Sequence, residues 1–365
     1  SEGTDVPGLD QFFEGLFPLF FLAPLLELST MATVVVLLVF MVCAYVLSIA
    51  YKRTVSVPPT GHYTRPGSPR VRMREFASCR VESDVFGRLL NFESGIYYHF
   101  LLHSALKLSG LYERGLANAL LFEVQRVDIA CPRLPKEFDG FTILFMSDLH
   151  LDGVPGLTDR LVAVLDDIEA DLCILGGDYR MALFGSWKSS MVHLQRVCGA
   201  VHAKHGIAAV LGNHDCWDML EDMRDMGIRP LVNESLLVER NGSSIHILGV
   251  DDPHYYRCHD LNAAFGSVPR EAFSIFTAHS PRLYQDAAGH GADVYLAGHT
   301  HAGQIQLPSI GPIFTHTPAP RSVCAGVWRH EHMVGYTSSG VGASGVPVRF
   351  HCRGEVSVLR LCRRS

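Results

Sequence analysis

Residues 141–150 read FTILFMSDLH, and this stretch decides the fold class. Five of its first six residues are apolar, and its last four include an aspartate and a histidine. A short apolar run that ends in polar residues is consistent with a buried β-strand. Similar runs recur after it, with amphipathic segments between them. This alternation predicts a layered α/β domain.

Five of the predicted strands stop at Asp, Asn or His, often beside glycine. The stretches that follow them are SDLH at 147–150, GGD at 176–178, GNHD at 212–215, AHSP at 278–281 and GHTHAGQ at 298–304. In open α/β sheets ligands bind outside the carboxyl ends of the strands, so we expect these side chains to share one crevice. Carboxylate, amide and imidazole groups together suit divalent Mn, Fe, Zn or Co. One aspartate can bridge two such ions about 3.5–4 Å apart, as in two-metal hydrolases.

The order of the five motifs resembles the calcineurin-like metallophosphoesterase superfamily over roughly residues 120–362. The lead-in PRLPKEFDGFTILFMSDLHL at 132–151 and the stretch SSGVGASGVPVRFHC at 338–352 are similar to its bacterial membrane-associated branch. The resemblance implies a four-layer α/β/β/α sandwich. It also implies two divalent metal ions, with manganese expected and iron, zinc or cobalt as alternatives.

The resemblance assigns roles to the motif residues. It implies these ligands of a first metal: Asp148, His150, Asp178 and His301. It implies these ligands of a second: Asp178, Asn213, His279 and His299, with Asp178 bridging. His214 matches the family's histidine that is not a ligand and that protonates the leaving group or stabilises the transition state. Asp215 would orient His214 by accepting its other ring proton.

Four further residues are candidates for substrate contacts: Arg180, Asp252, His254 and Arg257. Arg180 lies just beyond the predicted bridging aspartate, where it could hold a phosphate oxygen or form a salt bridge at the start of a loop. The other three follow a hairpin predicted by Asn241-Gly242. For them an ordinary loop structure is the alternative.

Residues 29–51 read STMATVVVLLVFMVCAYVLSIAY and contain no charged side chain, which predicts a transmembrane helix. Acidic residues precede this segment, and Lys and Arg follow it. Positive charge stays on the cytoplasmic side, so we predict a single-pass inner-membrane protein with a cytoplasmic catalytic domain. The predicted parts are a short extracytoplasmic or interfacial N-terminus (1–28), the helix (29–51), a basic linker with an amphipathic helical region (52–119) and the catalytic domain (120–365). The amphipathic region either packs on the catalytic domain or lies on the bilayer surface.

A membrane anchor beside a cytoplasmic site indicates a lipid or lipid-linked phosphate substrate. The combination resembles the UDP-2,3-diacylglucosamine pyrophosphatases of lipid A synthesis, which release UMP and a lipid X-type monophosphate. A general phospholipid or nucleotide phosphodiesterase is the alternative. A membrane-tethered metal-binding protein without turnover is the alternative of another class. A net charge of −6 excludes a strongly basic nucleic-acid binder, and no nucleic-acid partner is expected.

Overall fold

The computed structural model describes residues 102–183, 186–312 and 315–364. The chain divides into two compact units, and the described part of the first is helix α1 (His103–Leu108) with the residue before it. The second unit holds the described residues from Ser109 onward. The predicted transmembrane helix at 29–51 lies outside the described residues, as do residues 1–28 and most of 52–119. Within the described part, no helix is both long and apolar enough to cross a membrane.

The second unit alternates helices and strands. Its helices are α2 (Tyr112–Ala119), α3 (Leu157–Leu165), α4 (Lys188–Gly199), α5 (Met219–Asp225), α6 (Leu261–Phe265) and α7 (Tyr284–Gly289). Its first eight strands are β1 (Glu123–Ala130), β2 (Thr142–Met146), β3 (Glu169–Ala170), β4 (Leu172–Leu175), β5 (His202–Ala203), β6 (Ile207–Ala209), β7 (Ile228–Pro230) and β8 (Glu234–Arg240). The others described are β9 (Ser243–Gly249), β10 (Ser274–Thr277), β11 (Val294–Ala297), β12 (Gln306–Leu307), β13 (Gly311–Pro312), β14 (Gly326–His330), β15 (Met333–Thr337) and β16 (Glu355–Cys362).

Two mixed six-stranded sheets form the centre of this unit. The strand order is β1-β16-β2-β4-β6-β7 in the first sheet and β14-β15-β11-β10-β9-β8 in the second. Strands β2, β4, β6 and β7 run parallel, as do β15, β11, β10 and β9. The motif-bearing strands are therefore neighbours in each sheet, and their carboxyl ends meet at one edge.

Alternate residues of β2 face two different cores. Ile143 and Phe145 join a core that also takes side chains from the second sheet, such as Ile275. Leu144 and Met146 join the core built with α3, α4 and α5. Helices α6 and α7 cover the far face of the second sheet. Because side chains alternate along a strand, this pattern stacks helices, sheet, sheet and helices, and the predicted α/β sandwich is confirmed.

Helix α2 packs against the segment that precedes β16. The carbonyl of Gly115 accepts a hydrogen bond from the Arg349 amide at 3.0 Å, and Asn118 Nδ2 donates to the Arg349 carbonyl at 3.0 Å. A Cβ atom on Gly115 would lie only 2.7 Å from Val348 Cβ, so the approach needs glycine. The second unit therefore includes this helix, which precedes the boundary at residue 120 that the sequence predicts.

Candidate metal centre

The five motifs lie at one end of the two sheets, and backbone hydrogen bonds tie them to each other. The Asp148 amide donates to the carbonyl of Gly177 at 2.9 Å, and the His150 amide to that of Asp178 at 3.0 Å. From the second sheet, the His299 amide donates to Asp148 Oδ2 at 3.0 Å. Loops from both sheets thus fix one another around a single centre, as the sequence predicts.

Three groups of side chains in this centre have the arrangement of metal ligands: one joins His214 to His150 and Asp178, and the other two match the predicted ligand sets. Asp148, His150 and His301 form one group, in which the ligand atoms lie within 4.8 Å of one another. Asp178, His279 and His299 form a second group of the same kind. One oxygen of Asp178 lies 3.1 Å from His279 Nε2 and 3.9 Å from His150 Nε2. Asp178 therefore faces both groups, which is the position that a bridging ligand requires.

Asn213 provides an independent test of whether the residues fit a metal. Its Oδ1 atom is buried and has no hydrogen-bond partner in the described part of the chain. A buried acceptor left unpaired costs about 1–3 kcal/mol, so a native fold rarely keeps one without a reason. A divalent cation beside the second group would be that partner. The donor set of carboxylate, amide and imidazole atoms fits two divalent ions.

Backbone carbonyls determine which nitrogen of several histidine rings faces the centre. Nδ1 of His150 lies 2.8 Å from the Arg180 carbonyl, and Nδ1 of His279 lies 2.8 Å from that of Gly176. In His299 the nitrogen that meets a carbonyl is Nε2. A carbonyl only accepts, so each of these nitrogens carries the proton, and the opposite nitrogen is left as a ligand atom.

Five of the seven candidate ligands have a left-handed backbone conformation that L residues seldom adopt. They are Asp148 (φ 54°), His150 (φ 41°), Asp178 (φ 59°), His299 (φ 71°) and His301 (φ 47°). Such conformations cost about 1–3 kcal/mol each and persist where the surrounding structure imposes them. Their concentration at one spot indicates that the fold holds these side chains in place before a ligand binds.

Burial and charge shift the pKa values of the groups in this centre. Burial lowers the pKa of both His299 and His301 well below the usual value. Burial would raise the pKa of Asp178, but the neighbouring His279 and His214 keep it well below its usual range. Burial opposes protonation of His279, yet the Asp178 carboxylate raises its pKa to about 10. The ionised Asp178 carboxylate thus favours a positive charge at His279, as it would favour a cation.

His214 lies beside these groups, but Asp215 does not orient its ring. His214 Nδ1 bonds to the carbonyl of Met181 at 2.6 Å, so that the predicted hydrogen bond between the ring and Asp215 is absent. The Asp215 carboxylate instead accepts backbone N–H groups from Gly212, Asp178 and Tyr179, at 2.7–2.8 Å. Asp215 therefore positions Asp178 and its loop. His214 Nε2 is left facing the centre, 3.8 Å from Asp178 Oδ2.

Comparison with known proteins agrees with this geometry. A family model described as calcineurin-like phosphoesterase matches residues 141–303. Phosphodiesterase YaeI of Escherichia coli (strain K12) is 30% identical over 234 residues, which cover 60% of this chain and 82% of the relative. The chain belongs to the calcineurin-like phosphoesterase family. It is therefore a metal-dependent phosphoester hydrolase.

This phosphoesterase matches two further relatives over different shares of their lengths. Uncharacterized metallophosphoesterase YkuE of Bacillus subtilis (strain 168) is 28% identical, and the match covers 72% of this chain and 93% of the relative. A Danio rerio protein named "Transmembrane protein with metallophosphoesterase domain" is 29% identical, with 67% of this chain covered. This chain spans 58% of the length of that relative.

The four predicted substrate contacts of the phosphoesterase have different positions. The Arg180 guanidinium is buried and donates to the carbonyls of His214 and Leu183, so it supports the loop that carries His214. The Asp252 carboxylate accepts three backbone N–H groups of its own loop, at 2.6–2.9 Å, and is a loop-forming group rather than a contact for substrate. The His254 ring lies 4.1 Å from the His299 ring, and the Arg257 side chain is exposed.

Sequence reasoning missed Arg349. Its guanidinium is completely buried and donates to the carbonyls of Ser339 at 2.8 Å and Gly340 at 3.0 Å. The same group lies 3.3 Å from His301 Nδ1. The only signal was its place directly after the glycine-rich stretch at 338–346, which resembles the family's C-terminal motif.

Proposed function

We propose that this protein is a membrane-anchored phosphodiesterase or pyrophosphatase with two divalent ions, manganese being the expected metal. The observation that carries the proposal is the position of Asp178, which faces both ligand groups, with His214 beside it. That arrangement suits displacement at a single phosphorus atom. A phosphodiester or pyrophosphate has a leaving oxygen that needs a proton and negatively charged oxygens that the two metal ions would bind.

The residues that would hold the metals follow from the two groups. Asp148, His150 and His301 would hold the first ion, and His279, His299 and Asn213 the second, with Asp178 shared. When bound, such ions lower the pKa of a water molecule and neutralise charge on the phosphoryl oxygens. The chain contributes fixed ligand positions through its backbone hydrogen bonds, and a buried environment that strengthens electrostatic interactions.

His214 is the residue placed to handle the leaving group. Its Nδ1–H donates to the Met181 carbonyl, which leaves Nε2 directed at the centre. Burial lowers the pKa of His214, and the Asp178 carboxylate acts in the opposite direction. An anionic phosphate bound nearby would also favour the protonated ring. His214 then donates the Nε2 proton to the departing oxygen as a general acid.

The proposed substrate is lipid-linked, of the UDP-2,3-diacylglucosamine type, and the proposed products are UMP and a lipid X-type monophosphate. The apolar segment at 29–51 and the basic residues after it support an inner-membrane anchor with a cytoplasmic active site. The name of the Danio rerio relative supports membrane attachment. A water-insoluble substrate lies in the bilayer, so a membrane anchor would keep the active site close to it.

A general phospholipid or nucleotide phosphodiesterase is the second candidate. The name of the Escherichia coli relative, a phosphodiesterase, favours it. This enzyme would catalyse the same reaction at phosphorus. It would differ from the first candidate in the groups that are attached to the phosphate.

A substrate comparison tests the proposal. The purified full-length chain is stripped with EDTA, reloaded with Mn²⁺, and given bis(p-nitrophenyl) phosphate or UDP-2,3-diacylglucosamine in mixed micelles. We expect hydrolysis of both, no turnover before reloading, and a higher kcat/KM for UMP release from the lipid. Preference for the soluble diester would favour the second candidate. Stoichiometric metal without turnover on either ester would identify a metal-binding protein. In the same assay Asp178→Asn should lose turnover on both esters, and Asp167→Asn, a change at an exposed acidic position, is its control.

A further inference from the structure

A loop after β9 brings a second set of polar groups to the side of the metal centre. The His254 ring lies 4.1 Å from the ring of His299, a candidate ligand of the second ion. The Nδ1 atom of His254 is buried and has no hydrogen-bond partner among the residues described. Asp252 shapes this loop from inside through its three backbone hydrogen bonds, so its carboxylate is already occupied.

Two arginines flank His254. Arg282 follows the His279 motif and donates from Nη1 to the His254 carbonyl at 3.4 Å. Arg257 lies three residues beyond His254 in the same loop and is exposed. In the described structure neither guanidinium forms an ion pair with a carboxylate within 4.0 Å. Burial lowers the pKa of Arg282 and the charge of Arg257 lowers it further, while the Asp252 carboxylate acts in the opposite direction.

Like charges held near each other and partly desolvated are unfavourable unless an anion joins them. Guanidinium groups bind phosphate oxygens through paired hydrogen bonds, and a neutral imidazole can add another. The phosphorus atom that reacts would lie between the two ligand groups, and His299 belongs to one of them. A second anion that binds here would therefore be an adjoining part of the same substrate.

We propose that His254, Arg257 and Arg282 form a subsite for a second phosphate group, next to the one that is hydrolysed. This inference rests on the proposed function and narrows it, because it selects diphosphate diesters over simple phosphodiesters. The acyl-bearing or nucleoside portion attached to that second phosphate would leave along the Arg257 side of the centre.

Binding of inorganic pyrophosphate to the EDTA-treated full-length chain tests the subsite without catalysis. Isothermal titration should show pyrophosphate binding that weakens by about tenfold or more in Arg257→Gln and Arg282→Gln. Arg282→Lys should retain more affinity than Arg282→Gln because it keeps the charge. Arg196→Gln is the matched control, since Arg196 is half exposed and pairs with Asp159 on the surface. No binding by the unaltered chain, or equal binding by all variants, would overturn the proposal.

Activity of the manganese-loaded chain provides the second readout. The ratio of kcat/KM for UDP-N-acetylglucosamine to that for bis(p-nitrophenyl) phosphate should fall about tenfold or more in both glutamine variants. An equal loss on both esters would overturn the subsite and assign these arginines to the reacting phosphate or to folding. Arg257→Gln guards against the folding explanation, because its side chain is exposed. If the unaltered chain hydrolyses neither ester, the proposed function fails, while the pyrophosphate titration still decides on the subsite.

Discussion

The guanidinium of Arg349 lies 3.3 Å from Nδ1 of His301, behind the metal centre. The same guanidinium holds the carbonyls of a glycine-rich turn, and the Gly342 amide in that turn donates to the Asp148 carbonyl at 2.8 Å. One buried cation thus links the turn, His301 and the strand end that carries Asp148.

Replacing Arg349 should therefore destabilise the fold. In Arg349→Met the carbonyls of Ser339 and Gly340 lose a buried donor, and each unsatisfied group costs about 1–3 kcal/mol. We expect the free energy of unfolding to fall by about 3 kcal/mol, measured by urea denaturation in EDTA so that metal does not contribute. Arg353→Met is the control, because that side chain is 65% exposed and its ion pair with Glu123 lies on the surface. Equal stabilities of the two variants would refute the linking role.

Most of the centre could be predicted from the sequence because each motif is local. Asp148 and His150 follow one strand within four residues, and the same holds for the other four motifs. A role that depends on the direction in which a side chain points could not be predicted from the motifs. Neighbours on a tight loop point in different directions, so adjacency to His214 did not reveal that Asp215 turns inward. Arg349 lies 48 residues from His301 in sequence, and only the folded chain brings them together.

Gly298 follows β11 of the second sheet and lies against Ser147 and Asp148, which follow β2 of the first sheet, so the position has no room for a side chain. A Cβ atom at this position would overlap Ser147 Oγ and Asp148 Oδ2, so Gly298→Ala must displace the Asp148 carboxylate or the GHTH loop. We expect this variant to lose manganese binding at stoichiometric metal, measured by metal analysis after gel filtration. Gly199→Ala is the matched change, because its Cβ would meet nothing within 4 Å. Full metal content in Gly298→Ala would show that the loops have more freedom than the structure implies.

Asp215→Asn separates the role observed in the structure from the one predicted from the sequence. An amide supplies one acceptor where the carboxylate accepts from Gly212, Asp178 and Tyr179. The bridging ligand should shift, so we expect weaker manganese binding and a free energy of unfolding lower by about 2 kcal/mol. Saturating manganese should restore the wild-type dependence of rate on leaving-group pKa. A steeper dependence at full metal occupancy would instead support an effect on His214.

Metal affinity should rise with pH. The pKa of His279 is about 10 in the metal-free protein, since the Asp178 carboxylate outweighs the effect of burial. Below that pH the ring carries a proton that must leave before Nε2 can bind a cation. Loss of one proton predicts an apparent affinity that increases about tenfold per pH unit between pH 6 and 8. Titration of Mn²⁺ in buffers of different ionisation enthalpy measures the protons released. A pH-independent affinity with no proton release would contradict this assignment.

The roles of His214 and Asp178 can be separated by metal content and leaving group together. His214 Nε2 lies 3.8 Å from Asp178 Oδ2, so distance alone would also admit His214 as a ligand. As a general acid it should contribute about 10²–10⁴-fold to rate. His214→Ala should keep two metals and lose most activity on esters with poor leaving groups, but less on bis(p-nitrophenyl) phosphate, because nitrophenolate leaves without a proton.

Asp178→Asn should behave differently, because it weakens a carboxylate that lies near ligands of both groups. Metal and activity should then fall together, and by the same factor for good and poor leaving groups. Metal analysis of both variants, beside rates on the two ester types, decides between the roles. Loss of metal from His214→Ala to the extent seen in Asp178→Asn would make His214 a ligand. The proton for the leaving oxygen would then have to come from another group or from solvent.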